Sequence, residues 1–408
     1  MSKLKYVSRD EYLNFLIRSA NKPIIKVVSG IRRAGKSTLF YLFRDYLAKQ
    51  GVTPEQMIVI NFEDFSFDNL REAKALHDYL LAHLAEGKMT YIFLDEIQNV
   101  ENFEKVVDSL FIRDNVDLYL TGSNAYFLSG ELATLLSGRY VELKMLPLSF
   151  KEYVAWHVQN EQHISEAVLF DNYLKSSFPY TLFTNTEEER LDYLQGIYST
   201  VVLDDIVKRI NVQDARTLER LIETLFSSIG SPVTVNKIKN TMESKGLKIA
   251  SSTVDKYLQG ILDSMLMYEA RRYDIHGRQL LDTQAKYYAT DLGLRNLVLR
   301  DHQEDFGHII ENVVYLELKR RGNKVYVGRS SKYEVDFVAI NPKQEVKYYQ
   351  VALSTLDEAV LKRELRSLEQ INDHFPKYLL TMDEINRTAN YNGIQKLNLL
   401  DWLLDLKN

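Results

Sequence analysis

One stretch limits the fold more than any other. Gly30-Ile31-Arg32-Arg33-Ala34-Gly35-Lys36-Ser37-Thr38 lies between a β-branched run, 24–28, and a segment in which Leu39, Leu42, Phe43, Tyr46 and Leu47 recur at helical spacing. Strand, glycine loop and helix in that order meet the P-loop pattern in full. Gly30 and Gly35 let backbone amides close around an oxyanion with no Cβ in the way, and a helix that starts near Lys36 adds its partial positive charge. The loop from Gly30 to Thr38 therefore points to a bound nucleotide, ATP, with Mg²⁺. In that geometry the Lys36 ammonium bridges the β- and γ-phosphates, the Ser37 hydroxyl ligates Mg²⁺, and Thr38 reaches toward the α-phosphate. Arg32 and Arg33 either add positive potential beside the phosphates or are simply solvated.

Three further apolar runs of strand length follow, at 57–62, 91–94 and 116–120, the first two separated by a helical stretch with Leu76, Tyr79, Leu80, Leu81 and Leu84. Apolar strands alternating with helices imply a parallel sheet covered on both faces, the α/β class. The second of these runs ends in Asp95-Glu96, two carboxylates at the strand edge where ligands of parallel sheets sit. Asp95 is expected to hold Mg²⁺ through water and Glu96 to polarise the attacking water, which favours hydrolysis over binding alone. The next strand ends Leu120-Thr121-Gly122-Ser123-Asn124. Ser123 or Asn124 can touch the γ-phosphate, or cap a helix. Ser137-Gly138-Arg139 then places Arg139 before another strand, either as an arginine finger for a neighbouring subunit's site or as a surface ion pair.

Composition closes off other chemistries. The chain has 408 residues, enough for about two or three domains. With no cysteine, disulfide frameworks, thiol nucleophiles, zinc ribbons and iron–sulfur clusters are all excluded. The net charge of −5 does not suit a general nucleic-acid coat, so any such contact must be local. No apolar run approaches the length of a spanning helix, no membrane is expected as partner, and the N-terminal residues carry no h-region, so a cytoplasmic location is expected.

Beyond 148 the pattern is helical to about 216, a stretch read as a lid or connector. Helices at 218–228, 232–242 and 251–264, then a hairpin over 266–289 turning at His276-Gly277, are the parts of a winged helix. The last segment reads as a helix over 307–321, strands at 324–327, 334–340 and 346–353, a helix capped by Ser354 or Thr355, and a strand at 378–381.

The order of motifs resembles the prokaryotic predicted ATPases of the AAA+ superfamily, which carry a C-terminal domain of unknown function with a restriction-endonuclease-like fold. The residues that carry the resemblance are the loop 30–38, Phe93-Leu94-Asp95-Glu96-Ile97-Gln98, Leu120-Thr121-Gly122-Ser123, Ser137-Gly138-Arg139 and Leu146-Pro147-Leu148-Ser149-Phe150 with Glu152. Further matches are Leu203-Asp204-Asp205-Ile206-Val207, Ala289-Thr290-Asp291-Leu292-Gly293, Glu311-Asn312 and Glu334-Val335-Asp336-Phe337-Val338. The resemblance implies an AAA+ core over 1–145, a helical and winged-helix middle over 146–295, and a restriction-endonuclease-like domain over 296–408. It implies ATP binding and hydrolysis, and leaves a homo-oligomer open.

A nuclease of that fold needs acids for Mg²⁺ and a lysine for water. Glu311 and Asp336 match, but Gln350 and Ala352 stand where an acid and a lysine belong, so a retained fold used for binding or assembly is expected. In the winged helix, Lys237, Lys239, Lys245, Lys248 and Lys256, with Arg271, Arg272 and Arg278 on the wing, are the candidates for DNA contact. The leading expectation is an ATPase coupled to a DNA- or protein-contacting C-terminal half. The alternatives are an ATP-regulated nuclease and a nucleotide-loaded switch with negligible turnover.

Overall fold

The apolar runs of the first half form strands β1 (Ile25–Ser29), β2 (Met57–Asn61), β3 (Thr90–Asp95), β4 (Val116–Gly122) and β5 (Tyr140–Lys144). The structure is a computed structural model that describes residues 6–123, 136, 138–160, 163–299, 305–330 and 333–406. The strands lie in the order β2-β3-β4-β1-β5, and every neighbouring pair is parallel. Helices α1 (Asp10–Ser19) and α2 (Lys36–Lys49) cover one face, where Leu16, Leu39, Phe40 and Phe43 pack with Val28, Phe93 and Tyr119. Helices α3 (Ala73–Ala82) and α4 (Phe103–Phe111) cover the other, with Leu76, Leu80, Val107 and Leu110 against Val27, Ile60, Ile92 and Leu118. Burial on both faces explains why these strands are apolar without alternation. Because β4 stands between β1 and β3, the loop after β1 and the carboxylates ending β3 are separated by one strand at the same edge of the sheet.

Residues Met1–Pro147 with Asp263–Met265 form one compact unit, and Leu148–Leu262 with Leu266–Asn408 form another. The second unit begins with α5 (Phe150–Gln159), α6 (Glu166–Lys175) and α7 (Glu187–Thr200), and α7 runs on as a π-helix over Val201–Val207. Ser149 and Glu152 close a capping box on α5, which accounts for those two residues of the sequence motif. Helices α8 (Ala215–Ser227), α9 (Val235–Ser244) and α10 (Ser251–Asp263) precede the antiparallel hairpin β6 (Met267–Asp274) and β7 (Gln279–Ala289). A single bridge pairs Val233 with Ala285. After α11 (Leu292–Leu299) and α12 (Phe306–Arg320) come β8 (Lys324–Ser330), β9 (Tyr333–Ile340), β10 (Val346–Ala352), α13 (Glu358–Glu369), β11 (Lys377–Thr381), β12 (Thr388–Tyr391), β13 (Ile394–Asn398) and α14 (Leu399–Leu403).

The hairpin is not a separate wing. Arg272–Asp274 of β6 pair in parallel with Val327–Arg329 of β8, giving one eight-stranded sheet in the order β12-β13-β11-β10-β9-β8-β6-β7. The boundary expected between 295 and 296 therefore does not separate compact units, because one sheet runs through it. The cap of α13 also differs from expectation. Asp357 accepts the amides of Ala359 and Val360, while the hydroxyls of Ser354 and Thr355 donate instead to Asp383.

Inside the first sheet, Lys26 of β1 is fully buried and pairs with Asp117 of β4. Asp117 also accepts the Tyr119 hydroxyl at 2.7 Å and the Asn21 amide at 2.8 Å. Burial pushes the Lys26 pKa below the usual lysine value, and Asp117 opposes that fall. A buried pair broken on one side leaves an uncompensated charge, which costs about 3–5 kcal/mol. Asp117→Ala is therefore expected to destabilise the fold by about that much at neutral pH, as read from urea unfolding. With a folded-state pKa below the unfolded one, Lys26 takes up a proton on unfolding, so the penalty is full below the folded pKa and disappears as pH rises through the unfolded value.

Candidate functional site

At the end of β1 the chain has no room for a side chain. A Cβ built on Gly30 would lie 2.2 Å from the Met145 carbonyl oxygen, because the Met145 amide bonds back to Ser29 O at 2.7 Å. The loop then turns through Arg33 at φ 66° and Gly35 at φ 103°, and α2 begins at Lys36. Such left-handed residues ahead of a helix fold backbone amides into an anion-binding concavity. The loop is also held from outside. Arg9, buried just before α1, donates to Ala34 O at 3.0 Å and to Leu146 O at 2.8 Å. Nothing in the local sequence around Arg9 signals that role.

Lys36 is buried, and its ammonium donates to Gly30 O at 2.9 Å and lies 3.2 Å from the Glu96 carboxylate. The Ser37 hydroxyl hydrogen-bonds Asp95. Thus the structure brings together Lys36, Ser37, Asp95 and Glu96, from two strand ends that are not sheet neighbours. Thr121 of the intervening β4 links them: its hydroxyl donates to Asp95 and accepts the Glu96 amide at 2.8 Å. Burial raises the Asp95 pKa, helped by the Glu96 charge and opposed by the Ser37 and Thr121 hydrogen bonds. Burial also pushes Glu96 upward, but Lys36, Gln98, Arg32 and Ser123 outweigh it and hold Glu96 below its ordinary value. Glu96 has φ 54°, a left-handed conformation uncommon for a residue with a side chain.

A hydroxyl beside a buried carboxylate suits a hard cation that takes oxygen ligands and completes its shell with phosphate and water. Among the described residues no three His, Asp or Glu side chains gather to hold a metal by themselves. Thr38 follows in the first turn of α2. Arg32 pairs with Glu63 at 2.5 Å, whereas Arg33 is exposed. Asn124 and Ser137 lie outside the described residues. Arg139 pairs with Asp108 and lies over the Phe111 ring, at the start of β5 and so at the sheet edge away from the loop.

The AAA domain family matches residues 22–154, the portion that contains this site, and a domain of unknown function, DUF8612, matches residues 167–305. An uncharacterized protein of Haemophilus influenzae is 38% identical over 402 residues, 98% of each chain. The chain belongs to that protein's family, one of AAA-domain proteins. An uncharacterized protein of Methanocaldococcus jannaschii, MJ1544, is 28% identical over 417 residues, 98% of this chain and 88% of that one. Among solved structures, the Walker-type ATPase PABY2304 of Pyrococcus abyssi is similar with a TM-score of 0.50 and 15% identity, covering 72% of this chain and 95% of that one. That likeness supports the fold, a mixed α/β protein with a five-stranded parallel core.

The AAA-domain protein carries a second charged cluster, in its C-terminal sheet. Glu311 of α12, Glu334 and Asp336 of β9 surround Lys286 of β7, whose ammonium lies 3.0 Å from Glu311, 3.0 Å from Glu334 and 3.9 Å from Asp336. Lys286 was invisible to sequence reasoning, since it stands on the hairpin, far from the strand expected to supply a lysine. Burial by itself would lower its pKa, but Glu311, Asp336 and Glu334 overcome it and the net shift is upward. Gln350 is engaged at both ends of its amide: its NH₂ donates to Glu364 at 3.0 Å and its oxygen accepts from Asp336 N and Ser367. Asn312 beside Glu311 pairs with both the amide and the carbonyl of Ala289, so this part of the motif ties β7 to α12. Lys286→Met leaves buried carboxylates without their cation. It is expected to lower stability by about 3–5 kcal/mol in equilibrium denaturation, whereas Lys324→Met at an exposed site should change it by less than about 0.5 kcal/mol.

Proposed function

We propose that the chain is a Mg²⁺-dependent ATPase in which nucleotide state controls the contacts made by the C-terminal half. The observation that carries this reading is the meeting of Lys36, Ser37, Asp95 and Glu96 at one sheet edge. Lys36, with Gly30 to Thr38, binds the phosphates; Ser37 and Asp95 hold Mg²⁺; and Glu96 polarises the attacking water. In this scheme the Lys36 ammonium leaves Glu96 for the phosphates, which frees one carboxylate oxygen for water. Arg139 stands at the opposite edge, so a finger role requires a second subunit, and Asp108 is the partner it would have to leave.

For the C-terminal half we infer a restriction-endonuclease-like fold without cleavage. The order α12, β8, β9, β10, α13, β11 supports the fold, and the Lys286 ammonium supplies within the acidic cluster the positive charge that a metal would otherwise bring. Helices α8 to α10 with the hairpin support a winged-helix reading. One of its wing arginines is engaged within the chain, since Arg272 pairs with Glu334 at 2.9 Å, while Arg278 lies over the Phe375 ring and stays exposed. Of the helical lysines, Lys239 pairs with Glu243 and Lys237 donates to Pro232 O. Lys237, Lys245, Lys248 and Lys256 are exposed, as are Arg271 and Arg278 of the hairpin, and these six carry the cationic surface.

ATP turnover tests the main reading. Glu96→Gln should reduce kcat by about 10²–10⁴-fold while nucleotide still binds, and Lys36→Ala should weaken binding itself. Wild-type turnover no higher than either variant would leave the switch with negligible hydrolysis. For DNA, mobility shifts across a salt series are expected to give a slope of log K against log salt no steeper than about −5, the limit set by six exposed cations on phosphates. Lys256→Ala should flatten that slope by about one.

A further inference from the structure

Glu96 has two carboxylate oxygens, and both are engaged. Oε1 faces Lys36 at 3.2 Å, and Oε2 accepts a hydrogen bond from Gln98 Nε2. Gln98 Nε2 also lies 3.2 Å from the Ser123 hydroxyl, just beyond the end of β4. The amide's orientation follows from its neighbour, since only the NH₂ group can face a carboxylate. Its Oε1 is then the buried oxygen that accepts no hydrogen bond among the described residues. The segment Ile97–Asn99 is one turn of 3₁₀-helix that begins immediately after Glu96, so Gln98 reaches back over a backbone already held in the left-handed region.

We infer that Gln98 is a positioning residue for ATP hydrolysis, holding the Glu96 carboxylate through Nε2 and tying it to Ser123 at the end of β4. The inference rests on the reading of Glu96 as the group that polarises water. When Lys36 turns to the phosphates, the Gln98 hydrogen bond remains on the carboxylate, with Ser123 beside it. Without it a carboxylate on a strained turn loses its fixed direction, and small misplacements of a catalytic group reduce rates by about 10²-fold. A donor is what this position needs. Met and Glu are close to Gln in size, and neither can donate to Glu96 in its ionised form.

Steady-state ATP hydrolysis with Mg²⁺ on the full chain provides the test. Gln98→Met and Gln98→Glu should each lower kcat by about 10²-fold with KM for ATP changed less than about threefold. In a Glu96→Gln background, Gln98→Met should produce no further loss, because it acts through the group already removed. Binding of ADP, measured by calorimetry, should be unchanged in every variant that folds. Wild-type kcat in Gln98→Met, or the same fold-loss with and without Glu96, overturns the inference while leaving the ATPase reading in place. Wild-type turnover no higher than that of Glu96→Gln overturns both.

Discussion

An ammonium group cannot be buried without a carboxylate beside it, and that constraint organises both halves of this molecule. Removing an ion from water costs several kcal/mol even after relaxation, and only a close, well hydrogen-bonded opposite charge offsets it. Among the described residues four lysines are nearly fully buried: Lys26, Lys36, Lys286 and Lys396. Each has its acid, respectively Asp117, Glu96, Glu311 with Glu334, and Asp383. Lys26 joins two strands far apart in sequence, Lys286 ties β7 to α12 and β9, and Lys396 of β13 holds Asp383 just after β11. Lys36 differs because its partner stands at the open edge of a parallel sheet, next to a concavity of backbone amides. In the proposed ATPase it is the buried lysine that exchanges its carboxylate for phosphate.

The strand order fits that proposal. β4 separates β1 from β3, and Thr121 on β4 touches both acids, one through the Asp95 carboxylate and the other through the Glu96 amide. Ser123, two residues further on, meets Gln98. The intervening strand is thus more than a spacer, since its Thr121 holds the Asp95 carboxylate and the Glu96 amide, and Ser123 just beyond its end meets Gln98. A hydroxyl at Thr121 is needed as donor and acceptor at once, which neither Val nor Ala at that position would supply.

Much of this was legible in the sequence because it is local. The glycine loop, the apolar strands and the paired acids follow from short patterns, and Asp95, Glu96, Lys36 and Ser37 lie together as the motif demands. What was not legible depends on pairing across long separations. Lys26 and Asp117 read as a stray cation and a stray anion on apolar strands until β1 and β4 are laid side by side. Arg9 precedes a helix that carried no motif, yet it holds Ala34 and Leu146. Ser354 and Thr355 looked like helix caps by composition, but Asp383, buried with Lys396, captures their hydroxyls and leaves Asp357 to cap the helix. Local propensity lost there to a buried charge that required more donors.

The same reasoning changes what the hairpin is for. Read along the chain, β6 and β7 with their arginines look like a wing laid on phosphates. In the structure β6 extends the C-terminal sheet through β8, Arg272 is spent on Glu334, and β7 delivers Lys286 to three acids and its backbone to Asn312. A wing that moved to follow DNA would have to break the β6–β8 ladder and strip a buried acidic cluster of its cation. Those contacts make the hairpin a part of the C-terminal sheet rather than a wing that moves on its own.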